Sequence, residues 1–401
     1  MIRKLDLRTG RPVWTAYRAP SVRTQTLTRD VKTDVLVVGM GVSGAMVAEA
    51  LAGAGFSVIV IDRRGPVLGS TPATTALVQF ELDVPLTLLG TKIGKAKAER
   101  AWRRSKLAVG NLQAHIEELR LSCDMVPRRS LYLAGNVLTG VALREEADAR
   151  RAAGIKAAYL TSGELRDEYG FDRAGAILGH GNMALDPRKL TFGLLAKALE
   201  RKARLYSPVE AVAFEHHKDG VEIATKEGPV ISAAHVVLST GYELTAIVPA
   251  GGHKVISTWA IATKPQKRKL WPHEAMIWEA SDPYLYMRTT KDGRVICGGE
   301  DEEFQDEAAR DLLSDTKALA IAAKLKKLAP ALDVEPEFIW AGAFGTTATG
   351  LPIIGALPKS PRIHAVMGYG GNGITFSRLA AELVTTALTG DQDSDADLFA
   401  F

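Results

Sequence analysis

Cysteine is nearly absent from this chain of 401 residues, and the marks of several other protein classes are missing as well. The two cysteines, Cys123 and Cys297, lie far apart and lack metal-ligand spacing, which argues against a disulfide framework and fits a reducing cytoplasm. The basic N-terminus has no continuous apolar segment, so it predicts no secretory signal. We find no internal repeat and no low-complexity tract, and we therefore expect a globular protein located in the cytoplasm.

The chain also lacks a large excess of charge of either sign. The 50 basic and 46 acidic residues give a net charge of +4, which is spread along the chain and gives little reason to expect a nucleic-acid partner. The densest basic run, KPQKRK at Lys264–Lys269, predicts a solvated loop. The eight histidines show neither triad nor metal-ligand spacing, so we predict no metal site and no acid–base dyad.

One apolar stretch is long enough to cross a membrane, the 21 residues from Val35 to Gly55. It contains five glycines and carries Glu49 in its interior, and no polar break separates it from a second apolar run, FSVIVID. These features argue against a membrane span. The residues predict instead a buried strand, a glycine-rich turn, a helix of small residues and a second strand.

The glycine-rich turn has the spacing of a dinucleotide-binding motif. Gly39, Gly41 and Gly44 form the pattern G-x-G-x-x-G, with Val42 and Ser43 between the last two glycines. The first glycine permits a tight turn, the second allows a pyrophosphate to approach the backbone, and the third allows the helix and strand to pack closely. The start of the helix offers free N–H groups to the phosphates.

An acidic residue ends the second strand at the expected place. Asp62 follows Gly44 by 18 residues, where a carboxylate can bind ribose hydroxyls. Its charge would repel the 2′-phosphate of NADP, so we interpret Arg63 and Arg64 as surface or adenine-side contacts. Strand, glycines, helix, strand and acid together predict a dinucleotide site.

Four later segments, in a fixed order, resemble the D-amino-acid-oxidase superfamily of FAD-dependent enzymes, which includes glycine oxidase and sarcosine oxidase. Together with the glycine motif, the resemblance extends from about Asp34 to Gly390. The segments are Asp62–Asp83, Arg204–Phe214, His235–Glu243 and the pair Trp340–Gly355 with Ile363–Gly390.

The resemblance implies where FAD binds. A Gly-Ser-Thr-rich loop serves the diphosphate and flavin, a strand valine contacts adenine, and a glycine-rich loop opens a helix beside the flavin. The free N–H groups of that helix would stabilise the negative charge that forms on flavin reduction. The residues at these places are Ser70, Thr71, Thr74, Thr75, Val209, Thr240, Gly241, Gly371, Asn372, Gly373, Ile374 and Thr375.

The implied fold class is α/β, with a Rossmann-like FAD-binding domain and a second α+β substrate domain built on an antiparallel sheet. The FAD-binding domain would comprise residues 30–85, 150–245 and 336–390. The substrate domain would comprise residues 86–149 and 246–335. Residues 1–29 and 391–401 would be extensions.

The family chemistry is hydride transfer from a carbon bearing an amine to flavin N5, giving an imine that hydrolyses. Sarcosine-oxidase-like relatives tether FAD through a cysteine, which Gly342 to Thr347 does not contain, so we predict non-covalent FAD. An Arg and a Lys that hold the substrate carboxylate there correspond here to Gln79 and Thr375, which disfavours simple sarcosine-like or glycine-like substrates.

We expect a small-molecule amine substrate, with a secondary or N-substituted amine favoured by an aromatic, weakly charged pocket. Arg288 either holds an anionic group or pairs with Glu300 or Asp301 on the neighbouring strand. The candidate substrate-side residues are Gln79, Tyr284, Tyr286, Arg288, Trp340 and Tyr369.

The electron acceptor stays open between oxygen, a quinone and a protein, because a strand Lys that promotes the oxygen reaction in those oxidases is replaced near Val295 or Ile296. Two alternatives follow. One is a subunit of a multi-component flavin dehydrogenase that passes electrons to a partner. The other is an NAD-dependent dehydrogenase that shares the glycine motif.

Overall fold

The computed structural model describes residues 5–249 and 252–401, and within these ranges the strands form two sheets. The strands are β1 (Arg8–Gly10), β2 (Val31–Val38), β3 (Val58–Ile61), β4 (Leu77–Val78), β5 (Val126–Leu133), β6 (Ala157–Thr161), β7 (Gly175–Ala184), β8 (Arg204–Tyr206), β9 (Ala211–His217), β10 (Gly220–Thr225), β11 (Val230–Leu238), β12 (His253–Thr263), β13 (Met276–Glu279), β14 (Leu285–Thr289), β15 (Val295–Glu302), β16 (Pro336–Thr347), β17 (Ile353–Leu357) and β18 (Ser360–Met367). The helices are α1 (Val42–Gly53), α2 (Leu86–Ile93), α3 (Lys95–Glu118), α4 (Gly140–Ala152), α5 (Ser162–Tyr169), α6 (Pro187–Glu200), α7 (Glu307–Leu312), α8 (Ser314–Leu328) and α9 (Gly373–Leu388).

The first sheet has eight strands and a parallel centre. Its main path runs β17-β18-β11-β2-β3-β8, and β9 and β10 form a hairpin joined to β11. Strand β2 lies in the middle and pairs in parallel with β3 and β11, which explains why its apolar residues alternate so little. Helix α1 packs against α6 and α9. The predicted strand–turn–helix–strand unit is therefore confirmed.

The second sheet has ten strands, and its pairs are antiparallel except for β5 with β13. Its main path runs β1-β16-β12-β15-β14-β13-β5-β7-β4, with β6 beside β7. Strands β12, β14 and β15, which contain Val255, Tyr286 and Val295, lie next to one another in this sheet. The α/β fold with a second, antiparallel sheet is thus confirmed.

The two sheets do not coincide with the two predicted domains. The predicted domain limits therefore stay a prediction. Strands β6, β7 and β16 come from segments predicted for the FAD-binding domain, but they lie in the ten-stranded sheet. The predicted N-terminal extension contributes β1, which pairs with β16. Near the C-terminus, the Phe399 carbonyl accepts a hydrogen bond from Ile354 of β17. Residues 8–10 and Phe399 are therefore packed onto the fold.

The apolar stretch from Val35 to Gly55 forms the second half of β2 and all of α1, and most of its residues are buried before the exposed end at residues 53–55. In the described part of the chain, no helix combines the length and the hydropathy that a membrane crossing requires.

Candidate active site

A deep cleft connects the two sheets. The eight-stranded sheet contributes residues at the carboxyl ends of β2, β3 and β11, and the ten-stranded sheet contributes β12, β13, β14 and β16. The start of α9 and the loop between β3 and β4 complete the lining. Ligands of α/β proteins bind at such carboxyl ends of parallel strands, so the cleft is the candidate active site.

The three motif glycines have different geometric roles. Gly39 has φ +118°, and a Cβ there would lie 2.3 Å from the carbonyl oxygen of Ser239. Gly41 lines the cleft, and its Cβ would meet only the Thr71 Oγ1, at 3.1 Å. Gly44 does not line the cleft, because it packs so tightly on the turn that a Cβ would lie 1.9 Å from the Gly39 carbonyl oxygen.

Asp62 lies in the cleft wall and shapes the turn around the glycines. Its Oδ2 accepts a hydrogen bond from the backbone N–H of Met40 at 2.8 Å, and its Oδ1 accepts from Arg64 and Gly65. Arg63 and Arg64 also line the cleft, and both form ion pairs with the buried Glu243. The two arginines are therefore neutralised by protein carboxylates beside the Asp62 part of the cleft.

The Ser/Thr loop, defined here as residues 70–75, lines the cleft next to the start of α1. The Thr71 hydroxyl accepts a hydrogen bond from the N–H of Val42, at the start of α1, with a donor–acceptor distance of 3.0 Å. Ser70, Thr74 and Thr75 also line the cleft. The loop thus presents hydroxyls beside a helix start that has no side-chain cap of its own.

The second glycine-rich loop leads into α9. Gly371, Asn372, Gly373 and Ile374 line the cleft, and α9 begins at Gly373 without a side-chain cap. The positive end of the helix dipole therefore faces the cleft. The amide of Asn372 donates to the carbonyl of Glu81 at 2.9 Å, which fixes this loop to the opposite chain segment.

Aromatic side chains form one wall of the cleft. Tyr284 and Tyr286 lie side by side on β14 or just before it, with ring centroids 5.7 Å apart, and Trp278 is the cross-strand neighbour of Tyr286. The Tyr284 hydroxyl donates to Asp301 Oδ2 at 2.6 Å. Tyr369 lines the cleft as well, and burial raises the pKa of its hydroxyl to about 12. These phenols are neutral at physiological pH.

Arg288 does not line the cleft. Its guanidinium donates to the Leu185 carbonyl at 3.0 Å and lies over the ring of Trp14, and burial lowers its pKa to about 9. It pairs with neither alternative partner, because Asp301 accepts from Tyr284 and Glu300 pairs with lysines of α8.

Trp340 and Thr375 also lie outside the lining, although both touch segments that carry lining residues. The indole of Trp340 donates to the Ala73 carbonyl in the Ser/Thr loop at 2.8 Å. The hydroxyl of Thr375 donates to the backbone carbonyl of Gln79 at 2.8 Å. Gln79 itself lines the cleft, so the two neutral replacements are neighbours in space.

The structure brings together most of the other predicted residues. Val209, Thr240 and Gly241 all line the cleft with the glycine motif. Sequence reasoning missed Asp83, Trp278, Tyr242 and Thr258, which the fold adds to the lining. Asp83 ends the predicted loop segment and Trp278 precedes a turn, but only strand register and loop packing place them here.

The comparison with known proteins identifies the family. Residues 34–387 match the family described as FAD dependent oxidoreductase. The chain belongs to this family. The NAD-dependent alternative is therefore set aside.

Curated relatives are similar over most of their length. The chain is 26% identical over 377 residues to the gamma-glutamylputrescine oxidoreductase of Escherichia coli (strain K12), covering 92% of this chain and 86% of that protein. It is 22% identical over 383 residues to a probable oxidoreductase, OrdL, of Haemophilus influenzae, covering 92% and 85%.

Solved structures share the fold at lower identity. Glycine oxidase from Geobacillus kaustophilus superposes with a TM-score of 0.74 at 20% identity, covering 90% of this chain and 96% of that one. L-proline dehydrogenase from P. horikoshii superposes with a TM-score of 0.75 at 19% identity, covering 92% and 97%.

The cleft fits FAD on structural grounds. The Gly41 position leaves room for a phosphate beside the backbone, because a Cβ there would fill that space. Two helix starts whose own N-cap residues make no side-chain hydrogen bond face the same cleft, one at each glycine-rich segment. The hydroxyls of Ser239 and Thr245 line the cleft and have no hydrogen-bond partner among the described residues. Such orphaned polar atoms are expected where a polar ligand binds.

Proposed function

We propose that the protein binds FAD non-covalently and oxidises a C–N bond of an amine. The observation that carries the proposal is the continuity of the cleft, because the aromatic wall and the first glycine motif line the same cavity. The relatives named for gamma-glutamylputrescine and glycine oxidation support amine or amino-acid chemistry.

The protein residues divide into cofactor and substrate groups. In this proposal, Gly39, Gly41 and Ser43 bind the diphosphate, Asp62 binds the ribose, and Val209 lies beside the adenine. Gly371–Thr375 lies at the flavin, with Gly371 to Ile374 in the cleft wall. The uncapped start of α9 stabilises negative charge there.

When bound, FAD supplies a two-electron acceptor that takes a hydride from the carbon next to the amine nitrogen. The substrate then leaves as an iminium ion, which water hydrolyses to a carbonyl compound and a smaller amine. Tyr284, Tyr286, Gln79 and Tyr369 orient the reacting C–H bond and exclude water. An aromatic wall and a neutral amide favour a secondary or N-substituted amine over a small amino acid.

The residues that line the cleft support non-covalent binding. Cys123 and Cys297 are both buried outside the cleft, and none of the lining residues is cysteine or histidine within residues 5–249 and 252–401. We expect acid precipitation to leave all flavin in the supernatant. Yellow colour that stays with the precipitated protein would contradict this point.

The decisive experiment is an anaerobic titration of the purified holoenzyme with primary, secondary and N-methyl amines and with matched amino acids. Bleaching of the visible flavin spectrum by one class identifies the reaction and the substrate class. A flavin that no amine or amino acid reduces would refute the proposal. Mixing the reduced protein with oxygen then tests the acceptor, and very slow reoxidation would favour a quinone or partner subunit.

A further inference from the structure

The substrate part of the cleft carries an acidic side chain that the proposed chemistry has not used. Asp83 lines the cleft between the loop after β4 and the start of α2. Protein atoms surround it, but its side chain is exposed where it lines the cleft. Its Oδ2 accepts a hydrogen bond from the N–H of Gly371 at 2.7 Å.

No cation neutralises this carboxyl. Among the described residues, no Lys, Arg or His forms an ion pair with Asp83, and its nearest charged influence is the second acid, Asp301. Desolvation by the surrounding protein atoms, with Asp301 nearby, raises the pKa of Asp83 to about 6. The carboxyl is therefore mostly ionised at neutral pH and lacks a counter-ion.

The basic residues of the lining lie in a different part of the cleft from Asp83. In the described chain, they are Arg63 and Arg64, and both are paired with glutamates beside Asp62. The aromatic wall near Asp83 holds only neutral phenols and the Trp278 indole. An aromatic face beside a carboxylate attracts cations by cation–π and ionic interactions.

Gln79 adds a second acceptor to this wall. The side chain is 7% exposed and its Nε2 donates weakly to the Glu81 carbonyl at 3.4 Å. That contact fixes the orientation of the amide, and Oε1 has no partner among the described residues. A free carbonyl oxygen suits an N–H donor and would oppose a carboxylate.

We propose that Asp83 makes this cleft selective for cationic alkylamines that carry no carboxylate beside the oxidised carbon. The inference rests on the proposed amine oxidation and narrows its substrate class. An alkylamine is an ammonium ion at neutral pH and enters the cleft in that form, before it loses a proton to solvent. An α-amino acid would place a second negative charge against Asp83 without a basic partner.

The test measures the binding of two probes that contain no primary or secondary amine and therefore cannot be oxidised there. Benzyltrimethylammonium and phenylacetate are titrated into the holoenzyme, and the shift of the flavin spectrum gives each Kd. We expect the cation to bind at least about tenfold more tightly than the anion. Asp83→Asn should weaken the cation by about 10- to 100-fold, because the amide still accepts from Gly371 but has no charge.

The control is Asp167→Asn, which changes the protein charge equally at an exposed position on α5. It should leave both Kd values unchanged. Tighter binding of phenylacetate, no binding of the cation, or an unchanged cation Kd in Asp83→Asn would each overturn the inference. The charge preference of the unmodified holoenzyme tests it even if the Asp83 variant does not take up FAD.

A matched substrate pair separates this inference from the proposed function. N-Methylphenethylamine and N-methylphenylalanine are secondary amines that differ by the carboxylate, and we expect only the first to reduce the flavin. Faster reduction by N-methylphenylalanine would overturn the role of Asp83 and leave C–N oxidation standing. Failure of every amine and amino acid would refute the proposed function, while the Kd comparison would still decide the role of Asp83.

Discussion

The glycines of the first motif allow folding and cofactor binding to be tested separately. Gly44→Ala would place a methyl group 1.9 Å from the Gly39 carbonyl oxygen, which is backbone and cannot move aside cheaply. We expect a loss of about 3 kcal/mol in the free energy of unfolding, at the upper end of overpacking costs. The measurement is denaturant unfolding of the apoprotein.

Gly41→Ala should behave differently. Its methyl group would lie 3.1 Å from the Thr71 hydroxyl, a side chain that can rotate, so the apoprotein should fold normally. The same methyl group would occupy the space in which a phosphate oxygen sits roughly 2.9 Å from backbone N–H groups. We expect FAD to bind at least about tenfold more weakly, or about 1.4 kcal/mol, in a fluorescence titration of the apoprotein.

Gly110→Ala is the matched control for both variants. Gly110 is exposed in the middle of α3, and nothing lies within 4 Å of its added methyl group. Replacement should stabilise the helix by about 0.5–1 kcal/mol and leave FAD affinity unchanged. Unweakened FAD binding by Gly41→Ala would show that this cleft does not bind the diphosphate as reasoned. An unfolded apoprotein for that variant would instead contradict the freedom of the Thr71 side chain to rotate.

The remaining predictions concern the N-terminal segment and pH. Trp14→Phe removes the hydrogen bond from the indole to the Thr74 carbonyl in the Ser/Thr loop, so we expect a loss of about 1 kcal/mol in unfolding free energy and weaker FAD binding. Trp102→Phe, whose indole N–H has no partner in the described structure, should keep FAD affinity; equal FAD affinities in the two variants would show that the hydrogen bond from Trp14 to the Ser/Thr loop does not support FAD binding. The affinity of a permanent cation should fall as pH drops through about 6, because the pKa of Asp83 is raised to about 6 and only its ionised form attracts the cation. Its neighbours Asp301, Tyr284 and Tyr132 all have raised pKa values, the tyrosines stay neutral over this range, and a flat pH profile in the unmodified protein would refute the assignment.

Local chemistry explains why the sequence could predict many residues of the cleft region that we propose for the cofactor. A buried strand, three spaced glycines, a helix and a terminal acid lie within one short stretch, and each requirement of a diphosphate acts on adjacent residues. Gly39, Gly41, Asp62 and the Ser/Thr loop therefore line the cleft as the sequence predicted. The resemblance also predicted the α/β fold with a second, antiparallel sheet, because the motifs occur in the family order.

The substrate wall depended on long-range register. Side chains alternate in direction along a strand, which puts Tyr284, Tyr286 and Arg288 on one face of β14. The two tyrosines line the cleft, but Arg288 lies further along the strand and packs on Trp14. Trp340 is buried behind the Ser/Thr loop for the same reason. A period of two gives the face of a strand, but it does not give the point at which the cleft ends.

The sequence alone determined the cradle and the family, since these depend on neighbours in the chain. Only the tertiary structure decided which charged side chains line the part of the cleft that we propose for the substrate. Asp83 and Gly371 are separated by 288 residues and are hydrogen-bonded, and Trp278 joins Tyr286 only through strand pairing. Specificity arises from side chains on different elements whose distances no local pattern encodes, because loop packing and sheet register fix them.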